Sequence, residues 1–164
     1  MGSCGFDMLR AAKHLVEAAR SKGVILAAAE SCTGGMIAAA ITDVAGSSLV
    51  FDCGFVTYSN AAKVAALGVR DMTLATHGAV SEAVALEMAE GALSRSQATL
   101  AVAVTGIAGP GGSEFKPEGR VCFGLAAKGR VTFVETVDFG ALGRARVRRA
   151  TRDHALRLLL KALH

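Results

Sequence analysis

Two stretches of this chain are almost wholly apolar, and they constrain its fold more tightly than anything else in it. Val24 to Ala29 and Ala98 to Val104 each read as a strand buried on both faces, because neither alternates polar with apolar residues. A strand buried on both faces needs helices above and below its sheet, and helical stretches are interleaved along the chain. Phe6 to Lys22 has helical spacing and stops at Gly23. Met36 to Val44 is an apolar helix, and Asn60 to Leu67 a short one. Ser81 is a good N-cap for a helix running to about Ser94, with Glu82 in the first turn where the helix dipole favours an acid. Arg144 to Leu163 reads as a final helix. Phe51 to Tyr58 adds a strand. Arg120 to Ala127 and Val131 to Val137 make a hairpin about Lys128-Gly129. This order predicts an α/β fold: a single layered domain over residues 1–164, with a mixed β-sheet covered by helices on both faces.

Composition removes several function classes. With 52% hydrophobic residues in 164, the chain can bury one sizeable core, and disorder is excluded as an organising state. No apolar run reaches the roughly 18–20 residues of a spanning helix, so no membrane partner is expected. The N-terminus shows no basic region leading into an apolar stretch and a cleavage site. Phe6 also stands where a myristoylation signal needs Ser or Thr. Cys4, Cys32, Cys53 and Cys122 form no C-x-x-C pair and read as small buried residues in a reducing compartment, which predicts a cytoplasmic location. His14, His77, His154 and His164 are scattered, so no metal site is assigned. So apolar a surface balance predicts a homo-oligomer, a dimer or higher.

Three segments could carry chemistry. Glu30-Ser31-Cys32-Thr33-Gly34-Gly35 joins a buried strand to a helix. Ligands of open α/β sheets bind at such carboxyl ends, and a helix N-terminus there favours an anion or a developing oxyanion. The same residues could simply cap and turn the helix. Cys32 is a rival nucleophile, since a helix N-terminus lowers a thiol pKa, but a packed small residue is the better reading. In the second segment, Thr57-Tyr58-Ser59-Asn60-Ala61-Ala62-Lys63, Tyr58 can present its hydroxyl at a strand end. A desolvated Lys63 could deprotonate a serine, although a lone lysine on a short helix is more often a surface residue. The third, Val104-Thr105-Gly106-Ile107-Ala108-Gly109-Pro110-Gly111-Gly112, feeds a strand into a glycine loop. It is no Walker loop, because no Gly-Lys-Ser/Thr follows. Its successive N–H groups could form an anion-binding nest, and with Lys116-Pro117-Glu118-Gly119 it reads as a substrate-closing loop.

Together these segments resemble the CinA C-terminal-domain family. The likeness rests on Ala29 to Gly35, on Thr57 to Asn60 with Lys63, on His77-Gly78-Ala79-Val80-Ser81 and on Val104 to Gly112. Lys116-Pro117 with Gly119 extends it, as do Arg144, Val147, Arg148 and Thr151 near the C-terminus. It covers nearly the whole chain, without the larger domain fused ahead of many family members. One departure stands out. Leu142-Gly143 precedes Arg144 where the family usually has Gly-Asp, which could shift that arginine.

The resemblance implies hydrolysis of the carboxamide of nicotinamide mononucleotide, with no organic cofactor. It implies Ser31 as nucleophile, Lys63 as its base, and Tyr58 orienting Lys63 or shuttling the proton. Backbone N–H groups around Thr33 and Gly34 become candidates for an oxyanion hole. Thr105, Gly106, Ile107, Ala108, Gly109 and Gly112 would hold the nucleotide, and Arg144 its phosphate. Two other readings are a non-catalytic nucleotide-binding module and a nucleic-acid-binding protein using the basic last helix. Against nucleic acid as a partner, Val147, Thr151, Ala155 and Leu158 give that helix an apolar stripe for docking, and aromatics for base stacking are few.

Overall fold

The computed structural model describes residues 7–113 and 115–164, so the start of the first helix at Phe6, and Cys4, lie outside the described residues. Asp7 caps α1 (Met8–Lys22) by accepting from the Arg10 N–H, and Gly23 ends it in the left-handed region at φ 65°. There follow β1 (Leu26–Glu30), α2 (Met36–Thr42), β2 (Phe51–Val56), α3 (Asn60–Leu67), α4 (Asp71–His77) and α5 (Glu82–Ser94). The chain closes with β3 (Leu100–Gly106), β4 (Arg120–Ala127), β5 (Phe133–Asp138) and α6 (Arg144–Ala162). The sheet order is β2-β1-β3-β4-β5. The first three strands are parallel, and β4 and β5 are added antiparallel.

The sheet is mixed and covered on both faces, as the order of elements predicts. Along β1 the side chains alternate between two cores. Leu26 and Ala28 join α1, α2 and α6, whereas Ala27 and Ala29 join α3 and α5. Alanine at these central positions lets helices approach the sheet closely. At Gly91 of α5 the approach is closer still, since an added Cβ would lie 2.0 Å from the Leu67 carbonyl oxygen at the end of α3.

Several boundaries move relative to the sequence reading. β1 starts at Leu26 and takes in Glu30, β2 ends at Val56 before Tyr58, β3 extends to Gly106, and β5 starts at Phe133. Two elements were not foreseen: α4 and a single 3-10 turn over Ser47–Leu49. α4 has only seven residues, and Arg70 gives it no side-chain cap, so it lacks the usual start signal.

The topology fixes where a ligand can sit. From β1 the chain passes through α2 to β2 on one side, then returns through α3–α5 to β3 on the other. That reversal opens a crevice at the carboxyl ends of β1 and β3. Glu30 is in register with Val56 on one neighbour and Val104 on the other. The residues just beyond, Ser31, Thr57 and Thr105, therefore emerge side by side. The Ser31 N–H donates to the Val104 carbonyl at 3.2 Å, and the Thr57 N–H to the Glu30 carbonyl at 2.9 Å.

Candidate active site

At this crevice lies an open pocket of about 380 Å³ with Ser31, Lys63 and Tyr58 on one side and the glycine loop on the other. Ser59 caps α3 by accepting from the Ala62 N–H, and the first turn of that helix carries Lys63 inward. Lys63 is 2% exposed, and its Nζ donates to the Ser31 Oγ and to the Thr57 carbonyl, both at 3.1 Å. Burial pushes the Lys63 ammonium below its ordinary pKa, offset in part by the nearby Cys32 thiol. A lysine so placed can give up its proton more readily than one in water, and its neighbour is a primary hydroxyl. This pair can perform nucleophilic acyl chemistry without a metal or cofactor. Among the described residues no group of three or more His, Cys, Asp or Glu side chains is arranged to hold a metal ion.

Cys32 also lines the pocket, but burial pushes its thiol up to about 11, the Glu30 carboxylate adding to the rise. The lowering expected from a helix N-terminus does not prevail over burial, and the start of α2 already has a partner of its own. Glu30 is fully buried, and its carboxylate accepts from the Thr33 hydroxyl at 2.6 Å and from the Ile37 and Ala38 N–H groups at 2.8 and 3.0 Å. This acid caps α2 from the strand end and sets the Ser31 turn. Sequence reasoning missed it. The available signal was an acid closing a strand run that is otherwise apolar.

Four of the expected contacts need correction. Tyr58 does not orient Lys63: its exposed hydroxyl accepts from Arg144 at 2.7 Å, and the Thr57 carbonyl holds the lysine instead. Thr33 is fully buried, its hydroxyl committed to Glu30, and lines no part of the pocket. The Gly34 N–H donates to the Ser31 carbonyl at 3.1 Å, which removes it from any oxyanion hole. Thr105 is buried behind the wall, and its hydroxyl donates to the Ala79 carbonyl at 2.8 Å. It braces the 77–80 segment rather than facing a ligand. The Lys116 ammonium braces the same segment through the His77 and Val80 carbonyls.

The remaining expected residues do converge. Gly106, Ile107, Ala108, Gly109 and Gly112 all line the pocket, and Arg144 stands at its mouth. Among the described residues nothing accepts from the N–H groups of Ala108, Gly109, Gly111 and Gly112, which leaves them available to an anion. Gly109 is obligatory, since its φ is 93° and a Cβ would lie 1.9 Å from the Glu118 carboxylate. Arg144 bridges the mouth by donating to the Gly109 carbonyl and the Tyr58 hydroxyl, each at 2.7 Å. The Leu142-Gly143 departure leaves α6 without a side-chain cap, yet Arg144 still reaches the pocket. Asn60, which sequence reasoning did not single out, lines it too. Two further arginines of α6 have partners of their own: Arg148 donates to the Cys32 and Thr33 carbonyls, and Arg152 pairs with Asp153 at 2.8 Å.

The fold and pocket thus define an α/β domain with a serine and a buried lysine at its switch point. The chain belongs to the CinA C-terminal domain family, which matches residues 9–163. It is 53% identical over 121 residues to the nicotinamide-nucleotide amidohydrolase PncC of Escherichia coli K12, covering 73% of each chain. It is 52% identical over 133 residues to a CinA-like protein of Chloroherpeton thalassium, covering 79% of this chain but 32% of that one. The chain therefore spans about a third of the length of such longer relatives. The crystal structure of the competence/damage inducible protein CihA of Agrobacterium tumefaciens superposes with a TM-score of 0.92 at 48% identity, over 99% of both chains.

Proposed function

We propose that this chain hydrolyses the carboxamide of nicotinamide mononucleotide to nicotinic acid mononucleotide and ammonia. The observation that carries this reading is the 3.1 Å contact between the buried Lys63 Nζ and the Ser31 Oγ on the pocket floor. The E. coli relative named for this activity supports the choice of substrate. An amide is a poor electrophile, but the cationic pyridinium of the nucleotide withdraws electrons from its carbonyl.

Neutral Lys63 takes the Ser31 proton as Oγ attacks the carbonyl carbon. The tetrahedral intermediate collapses, its C–N bond breaks, and the lysine returns the proton to the departing ammonia. An ester remains on Ser31. Lys63 next deprotonates water, which attacks the ester, and Ser31 leaves with the proton. A module that only binds nucleotide has no need of a buried ammonium beside a serine, since desolvating that charge is costly.

The glycine loop and Arg144 fit the nucleotide phosphate, by N–H donation and by charge. Ammonia release should therefore be more than about tenfold faster in kcat/KM with the mononucleotide than with nicotinamide riboside, as loss of one charge-assisted contact implies. Nicotinamide and the full dinucleotide complete the assay. Equal efficiency for the mononucleotide and the riboside would remove the phosphate from the account.

A homo-oligomer remains part of the reading. Val131, Phe133, Val56, Leu49 and Met72 are between 47% and 96% exposed, apolar surface that a partner copy would cover. Light scattering at micromolar concentration should give at least a dimer mass, and a monomer mass would remove the idea. Among the described residues no helix is long and apolar enough to cross a membrane.

A further inference from the structure

Arg148 is one of the matched positions of the last helix, yet the proposed reaction gives it no task. It is half-buried and does not line the pocket. Its Nε donates to the Cys32 carbonyl at 3.0 Å and its Nη2 to the Thr33 carbonyl at 3.1 Å. A planar guanidinium thus grips two successive carbonyls of the turn that follows Ser31. The fork geometry suits this, and an ammonium could not reproduce it.

The second of these contacts continues inward. The Thr33 carbonyl shares its peptide unit with the Gly34 N–H, and that N–H donates to the Ser31 carbonyl at 3.1 Å. The Ser31 carbonyl in turn shares its peptide unit with the Cys32 N–H. The single cis peptide among the described residues is Gly109-Pro110, so the units at 31–34 are trans. In a trans unit the C=O and N–H point in opposite directions. The Cys32 N–H is therefore turned away from Gly34, and both Ser31 and Cys32 line the pocket. Among the described residues no group besides the Cys32 thiol itself accepts from it.

The geometry points to Arg148 as a positioning residue that aims and polarises the Cys32 N–H as the oxyanion donor for Ser31, through two intervening peptide units. This rests on the proposed attack by Ser31. A positive charge at one end of a hydrogen-bonded peptide chain draws electron density along it, and each bond strengthens the next by about 10–30%. The far N–H becomes a better donor as negative charge develops on the carbonyl oxygen of the substrate. The Gly34 N–H, which a reading of the sequence offers as a donor itself, acts instead as the middle link. Glu30 completes the frame by fixing Thr33 and the start of α2 from the other side.

The test uses Arg148→Met and Arg148→Lys, assayed for ammonia release from nicotinamide mononucleotide and checked for folding by circular dichroism. Removing an oxyanion donor outright costs about 10²–10³ in kcat, so weakening one should cost about 10–100-fold in Arg148→Met. KM should move by less than about threefold, because ground-state binding does not use this contact. Arg148→Lys, which can reach one carbonyl but not both, should recover part of kcat. It also keeps the proposal testable if the methionine variant fails to fold. In a Ser31→Ala background, Arg148→Met should leave nucleotide affinity unchanged. Unchanged kcat in a folded variant would overturn the proposal, as would a raised KM at unchanged kcat, which would make Arg148 a phosphate ligand. If Ser31→Ala alone retains turnover, the nucleophile assignment fails first, and that result is distinct from either outcome.

Discussion

Ser31→Ala should lower ammonia release from nicotinamide mononucleotide by roughly 10³-fold or more, while Cys32→Ala should retain most of it. The two residues are adjacent and both line the pocket, so position does not separate them. Chemistry does. The Ser31 hydroxyl lies 3.1 Å from a lysine whose burial favours its neutral form. The Cys32 thiol is pushed up to about 11 by burial, and so is almost wholly protonated at neutral pH. Removing a nucleophile outright eliminates the covalent route and leaves only what binding and the oxyanion donors supply to water. Removing a packed thiol deletes one small buried group beside the core, at a cost to stability of about 1 kcal/mol. Comparable losses in the two variants, or a loss in the cysteine variant alone, would transfer the nucleophile to Cys32.

Lys63→Met should abolish turnover and at the same time make the protein more stable. Lys63 is among the largest fully buried side chains, and its ammonium has a hydroxyl and a carbonyl for partners but no carboxylate. Burying such a charge opposes folding, and the lowered pKa records that opposition. Because the folded value is depressed, the unfolded chain binds more protons between that value and about 10.4, the ordinary value for lysine. Stability contributed at this position therefore rises with pH across that window, and the full cost is present below it. Methionine fills a similar volume without the charge, although it leaves the Thr57 carbonyl without a donor. A net gain of about 2 kcal/mol is expected at neutral pH, or a Tm higher by about 4–8 °C. The advantage of the methionine variant over the wild type should shrink as pH rises. A lower Tm at pH 7 would mean that the two hydrogen bonds outweigh the desolvation.

The architecture was largely legible because periodicity is local. β1 and β3 announce themselves as apolar runs, Ser81 and Glu82 mark the start of α5, and Lys128-Gly129 marks the turn between β4 and β5. The strand-to-helix turn at Ser31 and the strand end before Lys63 were legible as separate segments. Their meeting depends on β1 and β2 being parallel neighbours in a register that levels Glu30 with Val56. No local pattern encodes that register; the pairing of Ser31 with Lys63 was expected only from the family resemblance. Side-chain commitments were harder still. Tyr58 and Arg144 are 86 residues apart in the chain, and Thr105 and Ala79 are 26 apart, so their pairing follows from packing alone. α4 escaped because a seven-residue helix without a cap has too little periodicity to read.

The pH dependence of kcat/KM, measured for the wild type and for Lys63→Arg, tests the central claim most directly. If buried Lys63 is the base for Ser31, the wild-type profile rises along a limb whose apparent pKa lies below the ordinary lysine value of about 10.4. Lys63→Arg is then inactive at every accessible pH, since a guanidinium keeps the charge but does not release its proton. A Lys63→Arg enzyme that turns over at near wild-type rate and keeps the same ascending limb would contradict the account. It would show that another group activates Ser31.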